Sequence, residues 1–567
     1  YNFSLQQELP WQTDPLVKRR HRLTVKERVT VPDGEVLVPL DEDEVRERVR
    51  TLKDAGVESI AVCLLHSYLN PQHEQRIEQI VMEEYPGVHL SVSSGVVPLY
   101  REFERFSTTA LNAYIGPEVS RYLHRLAAEV KNLGYTREVL LTRSSGGMVP
   151  LSAAAQQPVH LLMSGPVGGL IGGIWAGQNG GFDNVFTLDI GGTSADIGVA
   201  PEGQLRMRHL LDTKVGDYQA MVPMVDIDTI GAGGGSIAYV DDGGVFRVGP
   251  QSAGADPGPA CYGRGGQMPT STDAQVILGR LRTDRYLAGG GLQLDRAKAR
   301  AAMKTVADRL NMTVDKAALG ALQIQKFGMS QAIELNSVRR GYDPRDFVLV
   351  AGGGAGPLFG CDIAAELNIP RVLVPAYPGI IAATGLLATD QKYEYVATAR
   401  YTMPDVDTAG LQQEYDELVR EASHQLAIDN IPADRRQFTR LADCRYEGQG
   451  YEVRFEVPTG DVSKKWLAET TEAFHEAHER EYGHRFKTGR VEIVNIRVVG
   501  VGVMDALEAP VISPDSDSLE QALVATQAVT FDVDGQRRSL STPFYDRARL
   551  GAGQTIDGPA MIEQYDT

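Results

Sequence analysis

Residues 185 to 200 read VFTLDIGGTSADIGVA, in which two carboxylates, Asp189 and Asp196, bracket a Gly191-Gly192-Thr193-Ser194 tip. After Thr193 the residues alternate, Ala195 against Asp196 and Ile197 against Gly198, which predicts strand, tight turn, strand. The G-x-x-x-x-G-K and G-x-G-x-x-G spacings of strand-to-helix phosphate loops are absent. Glycines at a hairpin tip still leave successive N–H groups free to point at phosphate oxygens. Carboxylates alone would repel such a ligand, by about 4 kcal/mol per like-charge pair at about 4 Å and an effective dielectric of about 20. A divalent cation reverses that sign. Asp189 is therefore assigned as a direct or water-mediated ligand of Mg²⁺, and Thr193 or Ser194 as hydroxyl donors to phosphate. A plain hairpin whose aspartates serve only the turn fits the same residues.

A second glycine cluster, AGGGAGP at 351 to 357, ends a buried strand and opens a helix. That arrangement suits backbone approach to a sugar or base and places a helix N-terminus toward an anion. Other candidates carry less chemistry. His475 and His478 share a helical face, but His484 is not fixed beside them by spacing, so a solvated helix is expected rather than a metal site. Cys261, in DPGPACYG, has no adjacent basic partner to activate it and is expected to be structural. Asp256 and Asp273 bracket that loop and either order it or line a substrate cleft.

The elements that must position these residues follow from periodicity. Residues 36 to 66 give a helix, a Gly56 stop and a buried strand at Ile60 to Leu65; residues 70 to 86 repeat the scheme, with Asn70 as N-cap, Pro71 at the first helical position and a strand at Val88 to Val92. Residues 101 to 134 read as helix, 139 to 150 as a strand entering a glycine-rich turn, and 163 to 177 as a helix of small residues that permits close backbone approach. Strands alternate at 446 to 458, before an amphipathic helix at 466 to 483.

Bulk properties bound the function. A chain of 567 residues exceeds one core and implies several domains. A formal charge of -18 argues against nucleic-acid binding, which needs a cationic surface. No run reaches the roughly 18 apolar residues of a membrane span, so no membrane association is expected. Four scattered cysteines without a C-x-x-C pair indicate neither a disulfide framework nor a zinc knuckle, and fit a cytoplasmic location. The first residues, YNFSLQQELP, lack a signal-peptide pattern, and both ends read as cut.

The two glycine motifs, roughly 160 residues apart, match the phosphate and adenosine motifs of the actin, sugar kinase and Hsp70-type ATPase superfold. With PLYREFERFSTTALNAYIGP (98–117), MSGPVGG (163–169), LDIGGTSADIGV (188–199), IGAGGGSIAYVD (230–241), GPQSAGADPGPACYGRGG (249–266), AGGGAGPLFG (351–360) and HEAHEREYGH (475–484), the chain resembles the hydantoinase A/oxoprolinase family. The resemblance implies an α/β, two-lobed, ribonuclease H-like ATPase fold with an additional C-terminal α+β domain. It implies three segments: 1–97, the remainder of an N-terminal lobe; 98–390, the nucleotide-binding core; and 391–567, the C-terminal domain. By the same resemblance, Asp189, Thr193 and Asp196 are catalytic and Asp189 holds the metal. Gly191, Gly192, Thr193 and Ser194 face the phosphates, and Gly352, Gly353, Gly354, Ala355 and Gly356 the adenosine. Ser164, Gly165 and Pro166 belong to the interlobe connection.

ATP and Mg²⁺ are the implied cofactors, and a hydantoinase B-type subunit the implied partner. By the resemblance, the family's first D-x-G-G-T hairpin precedes a segment like residues 1 to 23, and is expected from a segment preceding Tyr1 or from a separate chain. Phe359 stands where many members have histidine, and Asp228 near another position where the family commonly has histidine. The expected activity is ATP-dependent opening of a cyclic amide such as a hydantoin, a lactam or oxoproline. ATP-dependent ketone carboxylation is the alternative, and a non-catalytic scaffold with the ATPase fold the third.

Overall fold

The computed structural model describes residues 15–208, 213–216, 218–284, 286–287, 291–512, 518–533, 535–565 and 567. The chain forms two compact units, each assembled from separated stretches. One comprises residues up to Ser164, Met207–Met224 and Thr389–Asp505; the other comprises Gly165–Arg206, Val225–Ala388 and Ala506–Thr567. The segment 391–567 is thus shared between the units, and the chain first passes from one to the other between Ser164 and Gly165. Among the described residues no helix is long and apolar enough to cross a membrane.

In the first unit, helices Glu42–Asp54 and Gln72–Glu84 cover a parallel pair of strands, Ser59–Val62 and His89–Val92. Their helical-period apolar residues meet the strand residues in a core of Val45, Val49, Ile60, Val62, Ile77 and Ile80. The second helix begins at Gln72, with Pro71 as the cap residue, one position later than expected. Asn70 nevertheless accepts the Gln72 N–H at 3.2 Å, so its capping chemistry is retained. Strand Leu140–Thr142 runs into the expected glycine-rich turn, from which Met148–Pro150 returns as the second strand of a hairpin at the edge of a six-stranded sheet. That sheet also contains Gln391–Thr402, Val491–Gly502, Arg436–Tyr446 and Val453–Glu456, packed by helices Thr408–Ile428 and Lys464–Tyr482.

The histidines of helix Lys464–Tyr482 depart from expectation. His475 and His478 are 4% and 1% exposed, so they lie on the buried face rather than on a solvated one. His475 Nδ1 and the Tyr446 hydroxyl are 2.7 Å apart, and His478 Nδ1 lies 2.8 Å from the His484 carbonyl. Imidazole packs like an aromatic ring once its nitrogens are satisfied, which burial among Tyr446, Phe474 and Phe486 permits.

The second unit is organised by a five-stranded mixed sheet. Its order is Ile227–Ile230, Ala195–Ala200, Val185–Ile190, Val348–Gly352, Arg371–Leu373. The first three strands pair antiparallel with one another, whereas Val348–Gly352 is parallel to both Val185–Ile190 and Arg371–Leu373. One face buries Phe186, Leu188, Ile190, Ile197 and Leu349 against helices 271–277, 296–309, 314–336 and 356–367.

The small-residue helix, Ser164–Asn179, covers the other face. A Cβ on Gly169, Gly173 or Gly177 would meet Asp189 Oδ2 at 3.0 Å, Thr187 Cγ2 at 2.2 Å or Val185 Cγ2 at 2.5 Å, respectively. Four residues of helix advance about 6 Å and two of strand about 6.6 Å, so a glycine every fourth position stays in step with every second strand residue. The spacing lets the helix backbone lie directly on the strand carrying Asp189.

Candidate functional site

Asp189 and Asp196 are directly cross-strand partners, so both carboxylates project from the same sheet face. Asp196 accepts a hydrogen bond from the Thr229 hydroxyl at 2.6 Å. Among the described residues Asp189 has neither a hydrogen-bond donor nor a basic side chain paired with its carboxylate. Burial, together with the neighbouring Asp196 charge, pushes its carboxyl up from 3.8 to about 6. Burial raises Asp196 too, against the opposing hydroxyl of Thr229.

The tip itself is open. Gly191, Gly192 and Thr193 are exposed and Ser194 half-buried, and a Cβ built on either glycine would meet nothing within 4 Å. The Gly191 N–H donates to the Ser194 carbonyl at 3.1 Å, closing the turn.

Two further loops hold this tip from the same unit. Gly234 and Gly235 N–H groups donate to the Gly191 and Gly192 carbonyls at 2.9 and 2.6 Å. Gly233 lies so close that a Cβ there would stand 2.5 Å from the Thr193 backbone. Its carbonyl accepts from Gln325 Nε2 at 3.0 Å, and that of Gly234 from the Thr272 hydroxyl at 2.9 Å. The strand-end cluster lies beside the tip because Gly352 is in register with Asp189. Ala355 N–H donates to the Ile190 carbonyl at 3.0 Å, and Gly353, at φ 74°, packs on Ile190 and Asp189 where no side chain fits.

Within the predicted adenosine loop the residues divide. Gly352, Gly353 and Gly356 are buried against protein, while Gly354 is exposed and Ala355 half-buried. Phe359 is 2% exposed and belongs to the hydrophobic core of helix 356–367. Asp228 accepts from Asn336 Nδ2 at 2.6 Å. Residues 231–235, Thr229 and Gln325 were not expected at the site; the triple glycine after a strand was the available signal.

The DPGPACYG loop is built around Asp273, which is wholly buried. Its carboxylate accepts the N–H groups of Ala260, Cys261 and Thr270 and the Thr270 hydroxyl, at 2.7 to 3.2 Å. Asp273 thus orders the loop, whereas Asp256 is exposed. Cys261 is buried, and desolvation with the adjacent Asp273 charge raises its thiol far above the range where a thiolate forms. Asp273→Ala leaves those buried donors without an acceptor and is expected to destabilise this unit by about 3 kcal/mol or more, read as a lowered denaturation midpoint.

Among the described residues no three His, Cys, Asp or Glu side chains are grouped to hold a metal. Two carboxylates without a counter-charge, beside an open glycine tip, suit a hard cation that keeps most of its ligands as water or phosphate oxygen.

Three family models match the chain in succession. They are the hydantoinase/oxoprolinase N-terminal region over residues 2–85, hydantoinase/oxoprolinase over 105–395 and the hydantoinase/oxoprolinase C-terminal domain over 402–567. Caprolactamase subunit alpha of Pseudomonas jessenii is 34% identical across 97% of this chain and 79% of its own length. The crystal structure of the ATP-dependent caprolactamase from that organism superposes with a TM-score of 0.83 at 32% identity, over 96% of this chain and 79% of that one. The acetophenone carboxylase gamma subunit of Aromatoleum aromaticum is 32% identical across 97% of this chain and 76% of its own length. A nucleotide-free acetone carboxylase structure superposes with a TM-score of 0.77 at 27% identity, over 96% of this chain and 78% of that one.

Proposed function

This chain belongs to the hydantoinase/oxoprolinase family, and from that premise we propose that it is the ATP-dependent subunit of a cyclic-amide hydrolase. One observation carries the reading: a paired Asp189 and Asp196, without counter-charge, lie under an exposed glycine tip whose neighbour in register is the strand-end loop. A mixed sheet ordered 3-2-1-4-5, its first three strands antiparallel, supports the actin-like, ribonuclease H-like superfold, with the 165–206 and 225–388 parts of the expected 98–390 core supplying the nucleotide site. Asp189 would hold Mg²⁺ directly or through water, a cation that offsets charge on the transferred phosphoryl group.

The chain's own residues then divide the work. The Gly192 N–H and the Thr193 and Ser194 hydroxyls orient phosphate oxygens, Gly354 offers its exposed backbone to the nucleoside, and the two packed loops fix the tip in place. Phosphorylating the oxygen of an amide carbonyl or its enol makes the carbon electrophilic enough for water to open the ring. A cyclic amide otherwise offers a poor electrophile and a poor leaving group. A hydantoinase B-type partner completes the hydrolysis, in keeping with relatives that are themselves subunits.

The carboxylase relatives favour one second reading, phosphorylation of a ketone enol before carboxylation. The two separate in one assay: full-length protein, partner subunit and Mg-ATP, given lactams and hydantoins, or a ketone with labelled bicarbonate. ADP formation coupled to ring opening is expected; label fixed into the ketone without ring opening overturns the hydrolase reading. A scaffold would show no Mg-ATP binding heat with any partner.

A further inference from the structure

The motif PLYREFER, residues 98 to 105, takes no part in the site above, which lies in the other unit. In its own unit it borders a cavity of about 390 Å³ lined by Tyr100, Arg400, Thr402, Arg445, Glu492 and Val494 among others. That volume is within the usual range for small-molecule sites. Arg101 caps the following helix at φ 84°, ψ 84°, a left-handed conformation that costs a non-glycine residue about 1–3 kcal/mol and persists only where the surroundings enforce it. Here they do: its guanidinium donates to the Gly450 carbonyl at 2.7 Å and to Glu452 at 3.0 Å. Tyr100 donates to the same Glu452 carboxylate, and Arg445 Nε donates to Glu492 at 2.8 Å.

The charges around the cavity do not balance. Arg101 and Arg445 are matched by Glu452 and Glu492, whereas Arg400 has no carboxylate within ion-pair distance among the described residues. It donates once, to the Tyr68 hydroxyl at 2.8 Å, and lies over the rings of Tyr68 and Tyr100, 5.8 and 6.0 Å from their centroids. That hydrogen bond and these cation–π contacts hold the guanidinium and leave further N–H donors for a ligand. A dianion would meet Glu492 in the lining; a single negative charge matches the guanidinium that has no carboxylate partner among the described residues. A carboxylate accepts the fork through two parallel hydrogen bonds.

We propose that this cavity is a binding site for a small organic monocarboxylate, gripped by Arg400 and walled by Tyr100, Thr402 and Val494. The site is independent of the nucleotide reading, since every residue it uses belongs to the other unit.

Calorimetric titration of the full-length protein with sodium butyrate, at ionic strength held constant with chloride, tests it. Saturable binding on the order of 1 mM is expected. Arg400→Gln should weaken it at least tenfold, Arg400→Lys should fall between, and equimolar inorganic phosphate should not compete. Arg400 is exposed, so circular dichroism of the variants is expected to match wild type, and the lysine variant reports even where the glutamine one does not fold. Absence of saturable butyrate binding, equal affinity in Arg400→Gln, or competition by phosphate overturns the assignment.

Discussion

Asp189→Asn is expected to lower ATP-dependent turnover by about 10³-fold, the scale of losing one electrostatic contact made to developing charge, while making the protein more stable at neutral pH. The two effects share a cause. In the fold the Asp189 carboxyl is held up at about 6 against an ordinary 3.8, because burial and Asp196 both oppose its ionisation. A carboxyl raised in the folded state favours folding while protonated. That contribution is complete below about pH 4 and is lost as pH climbs through about 6. Asparagine imitates the protonated form at every pH. Thermal melts of wild type and variant should therefore coincide near pH 4, and the variant should melt higher at pH 8. A variant less stable at pH 8 would assign Asp189 to the turn, as a plain hairpin requires.

Gly233→Ala is expected to reduce nucleotide affinity by about 100-fold and to cost about 1–3 kcal/mol of stability, the range for forcing atoms into a filled space. The added carbon would stand 2.5 Å from Thr193 N and C and 2.6 Å from Gly192 C. Those are backbone atoms, which cannot rotate aside as a side chain does, so the tip itself must move. Gly191→Ala is the matched control, because its Cβ meets nothing within 4 Å and its φ lies outside the left-handed region. It should melt like wild type yet bind nucleotide less well, since the new methyl group occupies the open side of the tip. Titration with Mg-ATP and denaturant melts on both variants separate packing from contact.

Local pattern accounts for what was legible. Alternation across 185–200 fixes the hairpin because side chains on a strand repeat every second residue, and the pairing of Asp189 with Asp196 follows from the length of the turn. The glycine spacing at 169, 173 and 177 likewise announces close approach, although not the strand approached. The docking of residues 233–235 onto the tip rests on backbone hydrogen bonds between segments some 40 residues apart, which no side-chain pattern encodes. Asp273 was legible only as one of two loop aspartates; its role depends on three N–H groups converging from both ends of the loop. The buried histidines at 475 and 478 were misassigned because charged neighbours in the helix suggest a wet face, while Tyr446, from a separate strand, and Phe486, from the chain beyond the helix end, close over it.

The most direct test of the metal assignment is calorimetric binding of ATP to the full-length protein, with Mg²⁺ and with EDTA, in wild type and Asp189→Asn. Wild type should bind at least 100-fold more tightly with Mg²⁺ present, and the variant should lose nearly all of that dependence while still binding ATP in EDTA. An undiminished Mg²⁺ dependence in Asp189→Asn would contradict the account.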